Sequence, residues 1–167
     1  MKNNYITIAK KASNIQINEL KKIKKVFNKS FVKAIELITN CKGKIIFAGV
    51  GKSGLIARKI SATFSSVGIP SFFCDPAQAL HGDMGQIEKK DILIIFSYSG
   101  NTSELNNMLK YANRFRIKII GVSSKSDSVL SKASDIKLIL YIYLWFHTNT
   151  QATIFFMVMV QVNHQKT

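Results

Sequence analysis

The chain has 167 residues, 47% of them hydrophobic, which is the length of one domain with enough apolar content for a real core. Lys and Arg number 24 against 9 Asp and Glu, a formal net charge of +15, so the partners to expect are anions: phosphorylated metabolites, nucleic acid or acidic membrane surface. No Arg cluster alternates with aromatics, so nucleic acid is the minority expectation, and Lys10, Lys11, Lys21, Lys22, Lys24, Lys25, Lys29 and Lys33 read as a solvated helix face.

Cys41 and Cys74 stand alone, with no CxxC and no His at ligand spacing, so neither a disulfide framework nor a metal site is expected. The first residues lack the apolar core of a signal peptide, and no run reaches the ~18 apolar residues of a membrane span. A cytoplasmic protein without membrane contact is expected.

Over residues 8–40, Ile8, Ala12, Ile15, Leu20, Ile23, Phe27, Phe31, Ala34 and Ile38 recur at helical spacing. This predicts one amphipathic helix, or two broken near Asn28, Lys29 and Ser30, with Gly43 as the stop. The apolar stripe must pack on the core that follows or on a second subunit. Residues 45–48 then form a short apolar strand that runs into Gly49-Val50-Gly51-Lys52-Ser53-Gly54, and helical spacing returns over 55–66 until Gly68. A second strand is expected over 70–74. Asp75 and Pro76 cap a short helical segment toward Leu80, followed by a glycine-rich loop over 81–85. The third strand is 92–96, with a helix over 105–115. The fourth is 118–122, with Ser126 capping a helix over 127–133, and the fifth is 136–140. Continuous apolar strands alternating with helices predict a doubly wound α/β fold, a parallel five-stranded sheet behind N-terminal helices.

The densest chemistry lies over residues 97–104, Ser-Tyr-Ser-Gly-Asn-Thr-Ser-Glu, between the third strand and its helix. Unpaired amides and the positive end of the helix dipole favour an anion there. Thr102 or Ser103 could be a helix cap, but capping needs one hydroxyl and this turn has four. In a doubly wound sheet ligands bind at the carboxyl ends of the strands, where both glycine-rich turns lie. Gly49, Gly51 and Gly54 also satisfy the dinucleotide fingerprint, with Asp75 as the ribose acid. Lys52 inside the loop and Pro76 after Asp75 count against that reading, which also leaves the hydroxyl cluster unexplained. A phosphate-binding P-loop fails because Ile46 stands where its first glycine is needed. A phosphosugar site explains more: Ser97, Ser99, Gly100 and Thr102 hold a phosphate, with Ser53 a donor across the cleft. Lys52 holds an oxyanion or sugar hydroxyl, and Glu104 is the candidate base. His81, with Asp83 nearby, reads as a pocket residue or as a surface-loop histidine.

The segments GVGKSG, ATFSSVGIPSFF, PAQALHGDMG and SYSGNTSE resemble the sugar isomerase (SIS) domain of D-arabinose 5-phosphate isomerases over residues 42–140, and more loosely the N-terminal helices. The resemblance implies a flavodoxin-like SIS fold over 42–140 behind a helical arm over 1–41. It also implies interconversion of D-ribulose 5-phosphate and D-arabinose 5-phosphate through a cis-enediol, feeding 3-deoxy-D-manno-octulosonate for lipopolysaccharide. By position, Lys52 and Glu104 match catalytic residues of the family, Ser53, Ser97, Ser99 and Thr102 match phosphosugar-binding positions, and His81 matches the pocket histidine. Homo-oligomeric assembly is implied, and no metal or organic cofactor.

After the fifth strand the family continues with a Lys-Glu-Ala-Cys-Pro-type segment, then helices, then a Ser-His-Pro-Gly-Gly-type turn, which supply a second catalytic glutamate and a catalytic histidine. Residues 141–167 hold instead an apolar tail almost without charge, and His147 and His164 match neither context. The tail is therefore expected to be a frameshifted or truncated end, and the enzyme impaired. A non-catalytic phosphosugar-binding module is the alternative.

Overall fold

The computed structural model describes residues 2–140 and Val158; the expected apolar tail over 141–167 otherwise lies outside the described residues. Helix α1 spans Lys2–Lys22 and ends on Lys21 and Lys22, cations that suit the negative end of its dipole. A 3₁₀ turn over Ile23–Val26 follows. The break expected near Asn28 falls on that residue: its side chain accepts the amides of Ser30 at 2.8 Å and Phe31 at 3.4 Å, capping α2, Lys29–Thr39. Phe31, Ala34, Ile35 and Ile38 of α2 lie at helical spacing and are buried in the core, whereas Tyr5, Ile6, Ile8, Ile15 and Ile17 of α1 are exposed. The apolar stripe is thus divided between a half that covers the sheet and a half that does not.

The expected doubly wound sheet is present. Its strands are β1 (Ile45–Gly49), β2 (Ser71–Cys74), β3 (Ile92–Phe96), β4 (Lys118–Ser123) and β5 (Ile136–Ile139). They form one sheet in the order β2-β1-β3-β4-β5, and every pairing is parallel. Every residue of β1 and β3 is buried, which is why these strands are apolar without alternation. Successive side chains still leave on opposite faces. Phe47, Ile94 and Phe96 pack with α2 and with α3, Lys52–Ser66, and Phe47 meets Phe64 edge-on at 5.1 Å. Ile46, Leu93 and Ile95 pack with α4, Leu105–Phe115, and with Leu130 of α5, Val129–Ala133. The connection from β2 to β3 carries two 3₁₀ turns, Ala79–His81 and Asp83–Gln86, and Ala79 and Ile87 from it plug into the α4 face.

Two local expectations change. Gly43 does not stop α2, which ends at Thr39 with the Asn40 amide on the Glu36 carbonyl at 3.1 Å. Gly43 is instead a close approach: a Cβ there would press on the Asp91 carboxylate and sit 2.8 Å from the Lys90 carbonyl oxygen. The cap of α5 is Ser128 rather than Ser126; its hydroxyl accepts the Ser131 amide at 3.2 Å, and the helix is five residues long.

Below Gly43, the buried Asp91 side chain ties the start of β1 to the approach to β3. Its Oδ1 accepts the Lys44 amide at 2.7 Å and its Oδ2 the Glu88 amide at 2.8 Å, with the Lys44 ammonium 3.7 Å away. Asp135 repeats the device at β4, accepting the Ile119 amide at 2.9 Å and the Lys118 ammonium at 2.6 Å. Asp91→Ala should lower the unfolding free energy by about 3 kcal/mol, because two amides lose a charged acceptor inside the protein. Urea unfolding measures this, and a loss below about 1 kcal/mol would mean that water satisfies both amides.

Candidate phosphosugar site at the sheet switch point

β1 and β3 are neighbours, yet the chain leaves them for opposite faces, β1 for α3 and β3 for α4. That divergence opens a crevice at the carboxyl ends of the two strands. Their register ends with Gly49 opposite Phe96, so residues 50–52 and 97–104 leave the sheet at the same level.

In the first loop, Gly51 has φ 58 and ψ −127, which only glycine adopts readily, and it caps α3 without a side chain. Lys52 is the first residue of α3 and is exposed; Ser53 follows and is buried. A Cβ on Gly54 would sit 2.6 Å from the Gly49 carbonyl oxygen, so the first turn of α3 rests directly on the end of β1. Backbone packing therefore accounts for the dinucleotide-like glycine spacing. The Asp75 carboxylate, the rival ribose acid, accepts the Ala77 amide at 3.0 Å and shapes its own turn.

In the second loop neither Thr102 nor Ser103 caps α4. The capping position is Glu104, with helical backbone and no side-chain cap bond. The hydroxyls instead organise the turn. Ser97 Oγ, buried, shares a hydrogen bond with Thr102 Oγ1 at 2.8 Å and accepts the Gly100 amide at 3.1 Å. Ser99 Oγ accepts the Asn101 amide at 3.2 Å, and Ser103 Oγ donates to Glu104 Oε2 at 2.8 Å. Hydrogen bonds to the Glu104 carboxylate, first from its own backbone amide and then from Ser103, hold it below the usual carboxylate range. Exposed and anionic at neutral pH, it is chemically suited to accept a proton.

Gly100, at φ 67, lies against Ser128, and a Cβ would run into that hydroxyl. Here the structure adds what the sequence reading missed, a bracing segment over Ser123, Ser124 and 128–131. The Tyr98 carbonyl accepts both the amide and the hydroxyl of Ser124, at 3.0 and 2.7 Å. The Gly100 carbonyl accepts the Leu130 amide at 2.9 Å, and Asn101 Oδ1 the Val129 amide at 2.9 Å. Behind them the hydroxyls of Ser123, Ser128 and Ser131 all donate to the Lys125 carbonyl, at 3.0, 3.1 and 2.7 Å. The density of serine in 123–131 was the one available signal.

Lys52 and Ser53 thus follow the end of β1, and Ser97, Ser99, Gly100, Thr102 and Glu104 follow the end of its neighbour β3, at the same edge of the sheet. His81 lies on the loop that leaves β2, exposed, on the 3₁₀ turn that Ala79 anchors to the α4 face. Cys74, at the end of β2, is buried; burial first, then the charges of Asp83 and Asp75, push its thiol up to about 11. Among the described residues no three His, Cys, Asp or Glu side chains cluster as metal ligands.

Residues 37–159 match the SIS domain, and the chain belongs to that family. It is similar to the arabinose 5-phosphate isomerase KpsF of Escherichia coli O6:H1, 44% identical over 111 residues that make up 66% of this chain and 34% of the relative. The chain spans between 33% and 43% of the length of such curated relatives. Among solved structures, a Listeria monocytogenes protein superposes with a TM-score of 0.88 at 28% identity, covering 99% of this chain and 92% of the other. An Escherichia coli CFT073 protein in complex with arabinose 5-phosphate superposes with a TM-score of 0.79 at 30% identity, covering 96% and 92%. Several homologues are named arabinose 5-phosphate isomerases, and the five-stranded sheet is the SIS fold.

Gly100→Ala combines a left-handed backbone with a collision against Ser128, and should cost about 2–4 kcal/mol of stability in urea unfolding. An unchanged midpoint would mean that the 128–131 segment yields easily.

Proposed function

We propose that the chain binds a phosphorylated sugar at the switch point and catalyses aldose–ketose isomerisation of D-arabinose 5-phosphate and D-ribulose 5-phosphate. The observation that carries this reading is the shared level at which the Lys52 and Ser97–Thr102 loops leave β1 and β3. The phosphate rests on the 97–102 turn, where Ser99, Thr102 and the start of α4 supply donors and a favourable dipole, with Ser53 across the crevice. Glu104 takes the proton from the carbon beside the carbonyl. The Lys52 ammonium steadies the enediolate oxygen, and the proton returns to the neighbouring carbon. His81 lines the open side and binds sugar hydroxyls or assists proton transfer between oxygens. Supply of a precursor for lipopolysaccharide, in the cytoplasm, belongs to the same proposal.

A second reading is phosphosugar binding at the same turn without turnover. An impaired enzyme lies between the two. Titration with D-arabinose 5-phosphate while isomerisation is followed separates them. The isomerase reading predicts turnover, and Glu104→Gln should lower it about a hundred- to ten-thousandfold with phosphosugar affinity kept. Because the Glu104 carboxyl lies below its ordinary value, its basic form persists in acid. The acid limb of kcat/KM due to Glu104 should then lie below the ordinary glutamate range. Binding with no turnover in the wild-type chain would leave the module reading alone.

Homo-oligomeric assembly is part of the proposal, supported by the exposed apolar side chains of α1, Tyr5 at 73% and Ile6 and Ile8 at 56% exposure. Sedimentation should give a multimer that Ile6→Glu with Ile8→Glu dissociates. A monomeric wild-type chain would contradict this.

A further inference from the structure

The 97–102 turn does not hold its shape by its own hydroxyls alone. The Tyr98 carbonyl, the Gly100 carbonyl and Asn101 Oδ1 all turn toward one neighbour, the segment from the end of β4 into α5. The peptides of the described chain are trans, so a carbonyl aimed at that segment sends the N–H of the same peptide to the other side. The amides of Ser99 and Asn101 are therefore turned away from α5, and Asn101's meets Ser99 Oγ at 3.2 Å. Anchoring the carbonyls is what orients the donors.

The bond from Val129 to Asn101 closes this arrangement. The first amides of α5 lack intrahelical partners, as in any helix. Val129's goes to Asn101 Oδ1 at 2.9 Å, Leu130's to the Gly100 carbonyl at 2.9 Å and Ser131's to Ser128 Oγ at 3.2 Å. Two of the three acceptors belong to the 97–102 turn. The side-chain bond of Asn101 leaves the turn for a distant segment, whereas the hydroxyls of Ser97, Ser99 and Thr102 bond within it.

We propose that Asn101 is a positioning residue for the phosphate turn: by accepting the Val129 amide it fixes Ser99, Gly100 and Thr102 in the arrangement that receives a phosphate. This rests on the phosphosugar reading of the site. Asn101 itself touches no substrate in this scheme and acts through the turn. Without its acceptor the Val129 amide turns to water, and the loop samples arrangements in which the outward amides no longer converge. Affinity for the phosphate group falls, whatever sugar is attached.

The test is calorimetric titration of the full chain with inorganic phosphate and, separately, D-arabinose 5-phosphate, with amide hydrogen exchange at Val129 alongside. Asn101→Ala should weaken both ligands by a similar factor, about tenfold, and expose the Val129 amide. Asn101→Asp keeps the acceptor and should restore the protection of the Val129 amide, while its charge repels the phosphate and keeps affinity low. Should the alanine variant melt before titration, Asn101→Ser, too short to span to Val129, takes its place with the same expectation. If the alanine variant binds both ligands like the wild type while Val129 is exposed, or if it weakens binding with Val129 still protected, the positioning role is overturned. If the wild-type chain binds neither ligand, the phosphosugar reading itself falls and this inference with it.

Discussion

The pairing of β1 with β3 is the constraint on which the rest of the structure depends. These two strands are buried on both faces, so their register is fixed by nine side chains that have no alternative apolar surroundings. Asp91 locks the same pair from below by taking one amide from each approach, and Gly43 allows the two approaches to meet. With the lower end locked, the upper end is determined: Gly49 stands opposite Phe96, and both loops of the candidate site begin there. A shift of one residue would exchange the faces of every side chain and also separate Lys52 from the 97–104 turn.

Around this pair the site is assembled from backbone more than from side chains. Gly54 lets α3 rest on the end of β1, and Gly100 lets the turn lie against Ser128. Carbonyls at Tyr98 and Gly100 are held by amides from the far side of β4. The hydroxyls that look like ligand donors in the sequence are bonded to one another and to local amides in the protein without ligand. This internal set satisfies the polar groups of the turn.

The strands were legible because apolar runs such as 92–96 leave a buried strand as the only economical reading. The 97–104 turn was legible because four hydroxyls exceed what a cap requires. Other features were hidden for physical reasons. Gly43 looked like a helix stop because a glycine after a helix usually relieves a left-handed backbone, whereas here it relieves a contact with Lys90 and Asp91, remote in sequence. Ser126 and Ser128 are equivalent as caps until the helix start is known. Asn101 had no distinguishing mark, since its partner Val129 lies 28 residues away. Such long-range backbone acceptors leave no periodicity behind.

The shortness of α5 has a consequence for the order in which the protein forms. A helix of five residues has no stability of its own, since nucleation costs more than so few bonds return. Two of its first three amides are satisfied by residues 100 and 101, and Leu130 is fully buried against β4 and α4. The segment can become helical only on a surface already in place, so β3, its turn, α4 and β4 must come together first. The five-residue α5 is thus shaped on the 97–102 turn, α4 and β4 rather than by its own sequence.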